Sequence, residues 1–315
     1  MNIVLGLVVE VLVITVPIFA VIGVGYLIRL KGIIGDKGVQ GLNSIAYNIG
    51  LPALVILTVS QYSLTEIFDA RILGVIYSAY FIYIAILFLA VNFTAIPGKT
   101  KGAFLVSSFR CNMAFIGFPI ILSAYNSLAL AKASLVVAFL MPLNIVVTVL
   151  LFKFYNKKER IEAGRLLREM ATDPLVISAV LGIIISYINI DIPPVVSGVL
   201  DILSSMVIGL ALLAIGASFH FFHIKKNIKL LSLISTAKLL VMPAIAFFVA
   251  EFVFGLQKVD RDIIVVLFSM PLAVAAYIMA KGYHSDSDMV SSALIVTSIL
   301  SLVSISLWLT LLRVI

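Results

Sequence analysis

A guanidinium, a thiol and a carboxamide stand in consecutive positions, Arg110-Cys111-Asn112, and Gly117 and Pro119 follow within nine residues. All lie in an apolar run from about Gly102 to Tyr125, long enough to cross a hydrocarbon core that takes roughly 20 residues of helix. A charge at that depth is costly, and proline breaks the helical hydrogen-bond ladder. Both are tolerable where the helix is interrupted and faces a wet or protein-lined cavity. The chemistry implied is reversible binding of a solute. The Asn112 amide can donate to a carboxylate or accept from a hydroxyl or amine. Beside a helix break it would adjoin freed backbone N–H groups, whose partial positive charge favours an anion. The plainer reading of Asn112 is that it satisfies those broken backbone groups. Arg110 has two readings as well: a charge that draws an anion into a cavity, or an anchor paired to a helix carbonyl end or snorkelling to the interface. In a regular helix about 200° would separate Arg110 from Asn112, so a shared face requires the break.

Other polar residues within apolar runs are few. Asn43 and Tyr47, and likewise Ser44 and Asn48, are four apart, which puts two adjacent polar rows on one helical face. Such a face points to a cavity or a partner helix, and Asn43 and Asn48 join the candidate binding residues. Thr297, Ser301 and Ser304 form a milder stripe suited to helix packing. Lys238 lies about nine residues into its run, where snorkelling is the expectation.

Enzyme chemistry finds no foothold. His220 and His223 have i, i+3 spacing without a nearby third ligand, and His284 stands near Asp286 and Asp288 in a polar loop. The single cysteine excludes a disulfide within the chain and a Cys-rich metal site. There is no nucleotide-binding glycine loop and no pair of adjacent intramembrane acids, Asp201 and Glu251 being far apart near run ends. No metal, cofactor or catalytic residue is expected.

The elements that must position these residues follow from composition. The chain is 63% hydrophobic and 12% charged, with mean hydropathy +1.22, far from the roughly half apolar and quarter charged balance of soluble domains. Apolar segments fall at about 9–29, 39–57, 72–92, 102–125, 129–152, 174–190, 195–219, 230–254, 262–283 and 289–313. The expectation is therefore an all-α integral membrane protein with ten transmembrane helices, and no signal peptide is read at its N-terminus. Loops after odd-numbered spans hold fifteen Lys and Arg residues, against five on the other side. The positive-inside rule then places the odd loops in the cytoplasm and both termini outside a cell membrane. The net charge of +7 is thus a topology signal, and no basic stripe supports a nucleic-acid partner.

Three parts are expected: a five-helix repeat over 1–153, a cytoplasmic linker over 154–173 lying on the anionic leaflet, and a second five-helix repeat over 174–315. An odd number of spans per half makes the repeats inverted. Spans 4 and 9 each carry an internal proline, Pro119 and Pro271. Paired interrupted helices at corresponding positions are the best sequence pointer to a transporter's binding site. Candidate binding residues are accordingly Asn112, Arg110, Gly117, Pro119, Pro271, Asn43 and Asn48.

Arg110-Cys111-Asn112 with Phe115-Ile116-Gly117-Phe118-Pro119 resembles the signature of the auxin efflux carrier family. Similarity extends to Pro17-Ile18-Phe19, Leu51-Pro52-Ala53-Leu54, Lys238 to Pro243 and Met270-Pro271-Leu272-Ala273-Val274. The resemblance implies two inverted five-helix repeats, helices 4 and 9 crossing at their proline breaks, a scaffold that often forms a homodimer, and transport of small organic acids. In that setting Arg110 could stand where related carriers place a coupling cation. Two departures are visible: the short linker does not match the long regulated loop of many plant carriers, and Ala275 stands where many relatives carry a polar residue. The expected function is a secondary carrier, exporting a small organic anion by alternating access. A sodium-coupled organic-anion symporter and a non-transporting membrane sensor or assembly protein are the alternatives.

Overall fold

The computed structural model describes residues 2–156, 163–219 and 228–315, and the described chain is built from helices. In chain order these are α1 (Asn2–Leu30), α2 (Asp36–Ser60), α3 (Ala70–Asn92), α4 (Gly98–Phe109), α5 (Met113–Ala124), α6 (Ser127–Tyr155), α7 (Ala163–Ala171), α8 (Pro174–Ile188), α9 (Pro194–Ala217), α10 (Ile228–Val253), α11 (Lys258–Phe268), α12 (Val274–Gly282) and α13 (Ser287–Val314). Seven of the described helical runs are long and apolar enough to cross a membrane; α5 and α8 are shorter apolar helices. Many large apolar side chains of α1, α8, α9 and α13 are exposed, including Val13, Ile184, Ile202 and Val303. An outward apolar surface on that scale is what a bilayer solvates.

Helices α1, α2, α8 and α9 pack on one another. Gly216 and Gly25 make the α1–α9 contact possible, because a methyl on Gly216 would overlap the Ile22 carbonyl and one on Gly25 the Leu213 carbonyl. Small residues that let backbones approach are the usual device of helix packing in lipid. The remaining long and broken helices surround α4, α5, α11 and α12.

Prolines act on these helices through one recurring local device. Five-residue π-helical turns at Ala46–Gly50, Met113–Gly117 and Ala237–Val241 each end two residues before a proline, Pro52, Pro119 and Pro243. Proline lacks an N–H and crowds the carbonyl four residues back, and a widened turn relieves that crowding without ending the helix. Pro17 and Pro142 instead sit inside continuous α-helices.

The linker expected over 154–173 is helical from Ala163 to Ala171; its Lys157, Lys158 and Arg160 lie outside the described residues, as do His220 and His223. Asp173 ends it as the N-cap of α8, accepting from the Leu175 and Val176 backbone N–H groups.

Candidate functional site

Two helices stop in mid-run and meet. α4 ends at Phe109, residues 110–112 leave the helix with Arg110 extended, and α5 begins at Met113. α11 ends at Phe268 and α12 resumes at Val274. The gaps pair as a single antiparallel β-bridge between Cys111 and Leu272. The Asn112 N–H donates to the Pro271 carbonyl at 2.8 Å, and the Ala273 N–H donates to the Arg110 carbonyl at 3.1 Å. The Leu272 N–H donates to Thr297 Oγ1 on α13 at 3.2 Å. Backbone groups freed by the breaks are thereby satisfied within the protein, as a low-dielectric surrounding demands.

The broken pairs are tied at both ends too. At one end the Lys132 ammonium bonds Asp260 at 2.6 Å, and the Tyr125 hydroxyl reaches Asp262 at 3.3 Å. Arg261 joins Asp262 and Glu251 at 2.9 and 2.7 Å. At the other end the Ser285 hydroxyl donates to the Lys99 carbonyl, and the Thr100 hydroxyl to Asp286.

A cavity of about 90 Å³ opens at the bridge. Its walls include the first residues of α5, Met113–Phe115, and of α12, Val274 and Ala275, so two helix N-termini converge on it. The first turns of helices present N–H groups without intrahelical acceptors, a natural setting for an anion.

Arg110 and Asn112 line the cavity together. The chain is not helical at residues 110–112, so the 200° objection that a regular helix would raise does not apply, and Cys111 lines the cavity with them. Arg110 is 6% exposed and does not snorkel. Its Nη1 donates to Thr148 Oγ1 at 3.2 Å and meets Met279 Sδ at 3.3 Å. Among the described residues no carboxylate lies within ion-pair reach of it. Thr148 in turn donates to the Asn144 carbonyl, and Asn144 Oδ1 accepts from the Tyr80 hydroxyl, so α6 and α3 hold the guanidinium in place. Asn112 is equally buried, and its Nδ2 has no hydrogen-bond partner. An unpaired buried amide donor costs about 1–3 kcal/mol, and here it belongs to a cavity wall.

The other sequence candidates fall elsewhere. Pro271 supplies only its carbonyl to the bridge. Gly117 is a packing position, since an added Cβ would stand 2.9 Å from Leu267 Cδ2 on α11. Pro119 is buried in the first α-turn after the π-turn. Asn43 Nδ2 donates to the Val39 carbonyl, and Asn48 Nδ2 to Ser44 on an exposed surface; neither lines the cavity. From that polar row the cavity takes Tyr47, whose ring packs edge-on against Phe115 and whose hydroxyl donates to Asp173 at 2.7 Å. Lys238 corrects a sequence expectation: it is fully buried, with its ammonium 3.3 Å from Cys111 Sγ. The π-turn that carries it packs against α13 and α4. Sequence reasoning also missed Asn144, Thr148 and Thr297; polar residues in apolar helices were the available signal, and Thr297 was read as packing only.

Long apolar helices around two interrupted ones, with a buried polar cavity at the interruption, define a polytopic membrane transport protein. The chain belongs to the membrane transport protein family, whose pattern covers residues 10–309, and this is the auxin efflux carrier family that its signature resembles. It is 26% identical to an uncharacterized transporter of Methanocaldococcus jannaschii, over 90% of this chain and 93% of the relative. It is 25% identical to an uncharacterized transporter of Methanothermobacter thermautotrophicus, over 90% and 92%. A Rhizobium meliloti protein provisionally named a malonate transporter is 23% identical, over 94% of each chain.

Proposed function

We propose that this protein is a secondary carrier that exports a small organic anion, a carboxylate in the first instance. One observation carries the reading: the Asn112 amide donor without a partner and the Arg110 guanidinium without a carboxylate share one buried cavity, at two converging helix N-termini. A carboxylate would satisfy both, accepting from the amide and from the planar guanidinium fork. The name of the Rhizobium meliloti relative agrees with a carboxylate cargo.

The architecture we assign is ten spans in two inverted five-helix repeats. Seven are the long helices, one is α8, and two are the broken pairs α4–α5 and α11–α12. Helices α1, α2, α8 and α9, two from each repeat, would form a scaffold that is free to dimerise, against which the crossed helices move in alternating access. Odd loops face the cytoplasm and both termini face outward across the cell membrane, following the basic residues.

The test is a thermal-shift screen of mono- and dicarboxylates on detergent-purified protein, followed by flux in proteoliposomes. A ligand of the native state raises apparent stability. Stabilisation by a carboxylate, lost in Asn112→Ala, and flux of that carboxylate without a sodium gradient are expected. Flux that requires sodium identifies a symporter, and binding without any flux identifies a sensor.

A further inference from the structure

A second cation, Lys238, stands at the crossover without lining the cavity. Cys111, between Arg110 and Asn112, lines the cavity with them. The Lys238 ammonium lies 3.3 Å from Cys111 Sγ, and Lys238 is 0% exposed. The same sulfur lies 3.5 Å from the Phe109 carbonyl and 3.4 Å from the Phe268 carbonyl, the last helical residues of α4 and α11. Helix N-termini line the cavity, and the last helical carbonyls of α4 and α11 meet the Cys111 thiol beside Lys238. A cation at helix C-termini is electrostatically matched. Trp308 holds the π-turn that carries Lys238, its Nε1 donating to the Leu239 carbonyl at 2.9 Å.

Charge at the crossover does not balance within the protein. Arg110 and Lys238 are both buried, and among the described residues neither has a carboxylate within ion-pair reach. The charged and titratable groups that face Lys238 are Cys111 and Arg110. Asp173 acts electrostatically on Arg110, but it is already committed to two backbone N–H groups of α8 and to the Tyr47 hydroxyl. Buried charges are ordinarily paired.

We propose that Lys238 is a specificity-determining residue that sets the charge of the cargo. It acts as a positioning charge from beyond the Cys111 thiol, without touching the cargo, and with Arg110 it favours a dianion such as a short dicarboxylate over a monoanion. The inference rests on the anion-carrier reading and assigns a charge class to its site.

The experiment compares malonate and acetate binding to the purified full-length chain and to Lys238→Arg, Lys238→Met and Lys238→Gln. Removing one unit charge about 10 Å away lowers affinity roughly ten-fold per unit of ligand charge. Acetate should therefore weaken about ten-fold and malonate about a hundred-fold in the neutral variants, so the preference for malonate falls about ten-fold. Lys238→Arg should keep that preference. A merely structural lysine would weaken both ligands equally, and equal loss overturns the proposal, as does a wild-type chain with no preference for malonate. Lys238→His covers the case in which neither neutral variant folds: its charge is lost as pH rises, and its preference for malonate should fall below that of the wild type over the same pH range. An unchanged ratio in that variant also refutes the proposal. A wild-type chain that binds neither acid removes the anion-carrier reading itself, and binding without dependence on Lys238 removes only this inference.

Discussion

Asn112→Ala should separate binding from stability. The Asn112 Nδ2 group is buried in the cavity wall without an acceptor, a burden of about 1–3 kcal/mol that alanine removes. Alanine also forfeits the packing of the amide, an opposing loss of similar order for so few atoms. The ligand-free protein should therefore melt at or above the wild-type temperature. With a carboxylate bound, the same amide donates to a charged acceptor, a hydrogen bond worth about 1.5–3 kcal/mol. Affinity should then fall roughly ten- to a hundred-fold. Asn112→Asp keeps the shape but replaces the donor with a negative charge, and should bind less tightly than the alanine variant. The assay is a thermal-shift titration of purified protein with the carboxylate that stabilises the wild type most. Unchanged affinity in Asn112→Ala would show that the amide does not contact the cargo. A collapse of ligand-free stability would show that the amide supports the broken helices instead.

Arg110→Lys retains the charge without the planar fork and should transport partially, whereas Arg110→Gln should lose affinity most for the more highly charged acids; wild-type transport by the glutamine variant eliminates the electrostatic role. Gly216→Ala forces a methyl into the Ile22 carbonyl and should cost about 1–3 kcal/mol, read as a lowered ligand-free melting temperature with carboxylate affinity unchanged. Lys132→Met leaves Asp260 buried and unpaired, their side chains being 15% and 5% exposed; a loss of about 3–5 kcal/mol is expected, partly recovered when Asp260→Asn is added, and a double variant no better than the single would count against the pairing. In a Cys111→Ser background, a cysteine introduced by Glu66→Cys should react with an impermeant reagent on intact cells, while cysteines at positions 158 and 226 should be shielded; the reverse pattern would overturn the orientation.

Membrane residence, helicity and an interruption near Arg110 were legible in the amino-acid sequence, whereas the break expected at Pro119 lies instead at residues 110–112 and Pro119 is inside α5. The legible features are properties of a run: apolar length measures itself against a bilayer, and an arginine within it reads as a break wherever the partner helices lie. What the broken segments do to one another was not legible. Whether Arg110 and Asn112 both reach the cavity depended on the chain leaving the helix at residues 110–112, where the bridge to Leu272 holds it from about 160 residues away in the chain. Lys238 shows the same division. Its position in an apolar run is sequence information, but the direction of its stem is set by a π-turn, Trp308 and the Cys111 thiol, and the inward course reverses the interfacial expectation. Tyr47, Asn43 and Asn48 looked equivalent as a polar row, and the π-turn at 46–50 with the Asp173 contact brought only Tyr47 to the cavity. Local pattern determined which residues were out of place in lipid; long-range pairing of backbone groups that had no water to turn to decided which of them meet.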